Sequence, residues 1–367
     1  MGKMEKKIKA AFFGVKPDDW PNNANLSIYC RESSPPGYMI KMALMFLCGH
    51  RLPRGSDKSE WEICLSYKGK KWIITDWKRY EWKIYGPPDS SNDAKELQAK
   101  FRAVTKILDK AITATSDEEL RNDNISIYNQ FGRIDSLFYY FFDNAKNAMN
   151  RKVAKLKKSK DIGGMRSCFL NSQFNRGRDI EFNLLTSTIY FFALTELVFD
   201  SCFALCDRKG MRFSEFRHME WGERFKFFIS PAEDRTIESL YVNLLDIRTY
   251  YRNIPVHASP TYLFMLKGFG LIPSSYERMA DPHISHKLVY EENEQKRIFN
   301  TFEDTIALLK SHPTTQFGYL YARSGLPIHI AAAPVQELKQ HMTSVEQFEE
   351  ELVKRSEIQD QIDNMDI

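Results

Sequence analysis

Arg252, Asn253 and His257 are the residues whose types and spacing best suit chemistry. A guanidinium stays charged at any ordinary pH and presents a planar fork of donors that matches a phosphate. An imidazole titrates near neutrality and can take and return a proton. Together they suit phosphodiester chemistry, with the arginine facing the charge that builds on phosphate oxygens. In a straight helix, positions five apart point about 140° away from each other. Pro255 lacks an amide donor and disfavours helical geometry at Ile254. The backbone is therefore expected to bend there and bring the two side chains towards one surface.

The element that must carry this group is an amphipathic helix starting near Thr236, with Leu240, Leu244, Ile247 and Tyr251 at three- and four-residue steps. Arg248 lies one turn before Arg252, where it either binds a neighbouring phosphate or forms a surface salt bridge. Tyr251 is counted with Arg248 as a substrate-binding candidate. Upstream, an apolar helix is expected from about Glu181 to Cys206. Its Glu196 either faces the motif and positions Arg252 or His257, or stands on the outer face. Between the two, Ser214 is a plausible N-cap for a helix from about Glu215 to Phe228, which contains Trp221.

Spacing alone does not single out this pair. Arg278 and His283 are equally spaced, and Arg212 with His218 and Arg323 with His329 come close. Their surroundings are turn-rich or lack the long amphipathic helix. A plainer reading of Arg252 is a cation at a helix C-terminus, with His257 an ordinary turn residue.

Arginine, asparagine, three further residues and histidine at a helix end resemble the signature of the HEPN superfamily. The resemblance covers the motif and, loosely, the helical region from about 125 to 310. It leaves the first hundred residues unexplained. Many HEPN proteins are ribonucleases that use no metal, and the resemblance implies RNA cleavage by the substrate's own 2′-hydroxyl, leaving 2′,3′-cyclic phosphate ends. His257 would then be general base or acid, Arg252 would stabilise the phosphate charge, and Asn253 would orient the histidine or hold a phosphate oxygen. In that family two such pairs meet across a dimer interface, which implies a homodimer with RNA as its partner and no cofactor. HEPN ribonucleases often serve as toxins, in phage defence or in RNA processing. Other HEPN-like bundles are non-catalytic RNA- or protein-binding modules, and that alternative stays open.

The expected fold class is α+β: a small strand-containing domain over 1–90, a mainly helical HEPN-like domain over 94–311, and a C-terminal loop and charged helix over 312–367. Residues Trp61–Tyr67 and Lys71–Thr75 alternate around a Lys68-Gly69-Lys70 turn and predict a hairpin. The tryptophans there are interleaved with lysines. They either fill a small sheet's core or stack bases while the lysines neutralise phosphates. On the second reading the N-terminal domain grips RNA or senses a regulatory protein or ligand. Pro87 to Asp93 is expected to be a linker, followed by a helix from about Ala94 to Thr113 and a polar break at Thr115-Ser116-Asp117. A long helix from about Ile125 to Lys157 should end in a basic run from Arg151 to Lys160, either a phosphate contact or a solvated helix end. Gly163-Gly164, Asn171 to Arg178 and Pro313 to Pro334 read as loops.

With 43% hydrophobic residues, 13% aromatic and a net charge of +4, the chain can build a sizeable core and is only mildly basic. No HExxH, P-loop or GxGxxG pattern occurs, which argues against zinc-protease, ATPase and dinucleotide chemistry. The six cysteines include no CxxC pair, and Cys202 and Cys206 read as core thiols. The opening MGKMEKKIKAAFF has no secretory apolar core, so a reducing, cytoplasmic setting is expected. The run Leu184 to Cys206 approaches membrane-spanning length, but Glu196 and Asp200 within it favour a helix buried in protein, with no membrane partner.

Overall fold

The hairpin forms where alternation and turn chemistry place it. Strands β4 (Ser59–Tyr67) and β5 (Lys70–Trp77) pair antiparallel, Tyr67 opposite Lys70. Lys68 and Gly69 between them take φ of 51° and 72°, the left-handed pair whose twist matches the flanking strands. The computed structural model describes the chain apart from residues 1, 21–25, 33–34, 49–53, 57–58, 78–80, 153–161, 209, 233, 254–262, 267–269, 274–287 and 365–367. The fold is α+β and mostly helical.

The chain divides into two units, Met1–Asn122 with Asp360–Ile367, and Asp123–Gln359. In the first, β1 (Val15–Pro17), β2 (Ser27–Glu32), β3 (Arg54–Ser56) and β6 (Glu81–Gly86) join the hairpin in one antiparallel sheet, ordered β1-β4-β5-β6-β2 with β3 also on β4. Helices α1 (Gly2–Ala11), α2 (Gly37–Leu47) and α3 (Ser91–Arg121) cover it. Trp61, Trp72 and Trp82 are all buried in its core. These rings fill space and are closed to bases, which overturns the stacking reading for them. Trp77 and Tyr80 fall outside what is described at side-chain level.

The boundary expected near residue 90 moves to Asn122. Leu97, Phe101, Val104 and Leu108 of α3 lie in the sheet's core, with Phe101 edge-on to both Trp82 and Phe12. Pro87 to Ser90 is a tied turn: Tyr29 Oη donates to the Pro87 carbonyl and accepts from the Ser90 amide. The polar break at 115–117 does not interrupt α3, since exposed Ser, Asp and Glu cost an already nucleated helix only tenths of a kcal/mol.

The second unit is built around α5 (Ile162–Leu205). It runs through Gly163-Gly164 and Asn171–Arg178, both expected to be loops. Gly177 shows one reason: a Cβ there would come within 2.3 Å of Val289, so close packing uses the missing side chain. By length and composition, Asn171–Leu205 could cross a membrane, yet 72% of its most apolar window is buried inside the protein. Helix α4 (Phe131–Asn150) lies along α5, shorter than the span 125–157. Ser126–Ile127 instead forms β7, paired with Ile328–His329 (β10). Arg151 pairs with Asp179, and residues 153–160 of the basic run lie outside the described residues.

The expected helix 215–228 is broken at Met219 into α6 (Phe213–His218) and α7 (Trp221–Phe228). Ser214 is not its cap; the Glu215 carboxylate accepts from the Arg212 amide. Helix α8 (Arg235–Ile247) is capped by Asp234, which accepts from the Thr236 amide at 2.7 Å. A small hairpin, β8 (Leu263–Leu266) and β9 (Gly270–Pro273), precedes α9 (Glu292–Ser311). Within the expected loop 313–334 sits another helix, α10 (Gln316–Arg323). After α11 (Ala332–Lys339), the last helix, α12 (Val345–Asn364), docks on the body through Phe348 and Leu352. Those contacts, with Tyr321, Ile330 and Leu338, join residues 312–359 to the helical core, so the expected separate C-terminal domain is not found.

Phe191 stacks on Phe302 of α9 at 4.0 Å, and Trp221 meets Phe192 edge-on while its Nε1 donates to Thr195 Oγ1 at 2.9 Å. Gly318 lets α10 approach α5, since a Cβ there would lie 2.2 Å from Cys202 Sγ and 2.7 Å from its backbone nitrogen. Gly318→Ala should lower unfolding stability by about 1–3 kcal/mol by overpacking. Chemical denaturation checks this, and an unchanged midpoint would contradict the close approach.

Candidate active site

Of the stripe predicted for α8, Leu244, Ile247 and Tyr251 are buried and Leu240 is partly buried, with Tyr241 buried beside it. From Arg248 to Asn253 the backbone then widens into a π-helical turn. Such turns are rare, usually single, and frequent at functional sites. The change of pitch comes before the expected bend at Ile254, which lies outside the described residues together with Pro255 and His257.

The π-turn rests against α5. Arg252 Nη2 lies 4.0 Å from Glu196 Oε1, and its Nη1 donates to Asn253 Oδ1 at 3.1 Å. Glu196 therefore faces the motif, and Asn253 holds the arginine. At 4.0 Å the carboxylate attracts the guanidinium without closing a hydrogen bond. Among the described residues, no hydrogen bond takes Arg252 Nε or Nη2.

Arg248 lies on the same face. Its Nη1 is 3.5 Å from the exposed Glu220, and its buried Nε has no hydrogen-bond partner. Burial, and then the charge of Arg252, push its pKa below the ordinary guanidinium range. It remains a cation at neutral pH. Its side chain is only 17% exposed, so the expected surface salt bridge is half an interior one.

Tyr251 corrects the reading that made it a substrate ligand. It is buried, and its hydroxyl donates to Glu294 Oε1 at 2.7 Å. Burial and the bond to Glu294 push its pKa up, so it stays a neutral phenol. Glu294 in turn holds Arg297, whose fork also reaches Asn243 Oδ1 at 3.1 Å and Asp246 Oδ2 at 2.7 Å. This clamp ties the end of α8, just before the π-turn, and Tyr251 within the turn to α9. The Glu294–Arg297 spacing is a helix-face pair that sequence reasoning overlooked.

A second overlooked group lies one turn along α5 from Glu196. Asp200 is fully buried, with Arg217 Nη1 on one oxygen and the other oxygen unpaired. Arg224 Nε and Nη2 donate to the carbonyls of Met219 and Arg217, while its Nη1 is buried without a partner. Burial pushes the Asp200 carboxyl up to about 6, against the pull of Arg217 and Arg224. Four guanidiniums (Arg217, Arg224, Arg248, Arg252) thus interact with three carboxylates (Glu196, Asp200, Glu220), a surplus of positive charge suited to an anion.

Among the described residues, no three His, Cys, Asp or Glu side chains group to hold a metal ion. Cys202 and Cys206 lie in the core, where burial raises both thiol pKa values. Of the competing pairs, Arg212 and His218 are at the ends of α6, and Arg323 pairs with Glu349 while His329 meets Ser126. Arg278 and His283 lie outside the described residues.

Arg297→Met should leave Glu294 and Asp246 facing each other without a cation, costing about 1–3 kcal/mol. It should also speed amide hydrogen exchange across 248–253; unchanged exchange there would contradict the clamp. Asp200 gives a signed pH effect. Its folded pKa, about 6, exceeds the ordinary 3.8, so the folded chain holds this proton more tightly. That stabilisation is full below about pH 4 and lost as pH rises through about 6. The stability of wild type minus that of Asp200→Asn, followed by denaturant titration, should therefore fall with rising pH across this window. A flat or rising difference would contradict it. No protein-family model matches the chain, and searches of curated proteins and of solved structures find no match either.

Proposed function

We propose that this chain is a metal-independent RNA endonuclease of HEPN type, acting in the cytoplasm as a homodimer. The observation that carries the reading is the π-turn holding Arg252 and Arg248 on one face, with Glu196 steering the first and, among the described residues, no hydrogen bond to Arg252 Nε or Nη2 or to Arg248 Nε. Two cations so placed fit a phosphodiester better than a carboxylate or a neutral ligand.

In the proposed reaction His257 takes the proton from the ribose 2′-hydroxyl, and that oxygen attacks the adjacent phosphorus. Arg252 carries the added charge on the non-bridging oxygens, and Arg248 holds a neighbouring phosphate. The bond to the 5′-oxygen breaks, and a histidinium, from this copy or the second, supplies its proton. The products are a 2′,3′-cyclic phosphate and a 5′-hydroxyl. Asn253 and Glu196 keep the guanidinium oriented. The N-terminal unit serves as the sensing or restraining part, taking a regulatory protein or ligand, as suits a toxin or a phage-defence effector.

Purified wild type should cut single-stranded or transfer RNA in EDTA, and both His257→Ala and Arg252→Ala should lose about 100-fold or more in rate. Glu196→Gln should lose less, since it only steers Arg252. Equal cleavage by His257→Ala would remove His257 from the reaction. Tight RNA binding with no cleavage by any form would favour the non-catalytic binding module instead.

A further inference from the structure

Apart from the Arg252 group, polar side chains also converge on a cleft of about 380 Å³ lined by α10, β10, α11 and α12. That volume lies within the roughly 300–1,000 Å³ of small-molecule sites. Leu338 and Ile358 give it apolar walls, while His329, Lys354 and Arg355 bring donors.

His329 is held in place on three sides. Its strand pairs with Ser126, whose hydroxyl lies 2.7 Å from Nδ1, and its amide donates to Tyr321 Oη at 2.9 Å. Tyr321 Oη donates onward to the Pro327 carbonyl at 2.7 Å. Burial, and then Arg355, lower the pKa of the imidazole, so it is neutral at pH 7. In the tautomer in which Ser126 donates to Nδ1, the ring proton sits on Nε2 as a donor. Arg355 binds Glu351 through Nε and lies 3.5 Å from Glu337 through Nη2. Glu351 is therefore paired, and Arg355 is shared between it and the more exposed Glu337. Lys354 is exposed; its charge reaches Glu351, but among the described residues no hydrogen bond or ion pair within 4.0 Å holds it.

We propose that this cleft binds a small organic anion, its apolar body against Leu338 and Ile358 and its charged head against Lys354, Arg355 and His329. The site shares no residue with the proposed nuclease site and does not rest on that reading.

The test uses the full chain and phenyl phosphate, with phenol and inorganic phosphate as half-ligands. Calorimetry should show phenyl phosphate binding at least about tenfold tighter than either, since both halves of the cleft must be filled. In ¹³C-histidine NMR it should shift the resonance that disappears in His329→Asn. Lys354→Gln and Ile358→Asp change exposed side chains, so both should keep the wild-type melting point while weakening phenyl phosphate about tenfold or more. The proposal is overturned by phenol binding as tightly, by no phenyl phosphate binding at about 10 mM, by an unmoved His329 signal, or by full affinity in both variants.

Discussion

Two carboxylates on the central apolar helix constrain the rest of the helical unit. A carboxylate inside a protein must be paired, hydrogen-bonded or protonated, because removing it from water costs several kcal/mol. Glu196 and Asp200 lie one turn apart on α5, and three other elements answer them: Arg217 from α6, Arg224 from α7, and Arg252 from the π-turn. Asp200 is the deeper of the two and is held nearly closed. Glu196 is only partly buried and touches its arginine at the limit of an ion pair. One acid thus fixes the layout, and the other orients a cation whose Nε and Nη2 take no hydrogen bond among the described residues.

The π-turn places that cation. A wider turn lets Arg248 and Arg252 face Glu196 together, while Tyr251 between them points into the core. Unwinding the turn would pull a buried phenol off Glu294, which Arg297 in turn links to Asp246 and Asn243 of α8. The unusual backbone is therefore held from behind by neutral and charged hydrogen bonds. A guanidinium held in advance of its ligand spends little entropy when a phosphate arrives.

Much of this could be read from residue order. The Lys68-Gly69 hairpin, the buried α5 and the face of α8 all follow from local periodicity and turn chemistry, whereas the bond from Arg252 to Asn253 was not foreseen. What failed depended on contacts remote in sequence. Gly163-Gly164 and the polar run at 171–178 read as loop because local propensity cannot show that Val289 will pack against Gly177. Helix α3 was assigned to the wrong unit because its apolar stripe fits either core; only tertiary contact chooses the sheet. Tyr251 looked like a ligand residue for want of its partner Glu294, 43 positions away. Asp200 stands in an apolar stretch and Arg224 among the charges Glu220, Glu223 and Lys226, both visible in the sequence but with no local sign of being partners.

The central claim is that the Arg252 group acts on a phosphodiester whose own 2′-hydroxyl is the nucleophile. The most direct measurement is end-group analysis, in EDTA, of one RNA cleaved by the wild-type chain, beside the same RNA carrying a single 2′-deoxy sugar at the cut position. The account predicts a 2′,3′-cyclic phosphate and a 5′-hydroxyl from the first, and no cut at that position in the second. Cleavage of the deoxy-substituted strand at the same bond, or products ending in a 5′-phosphate, would contradict it.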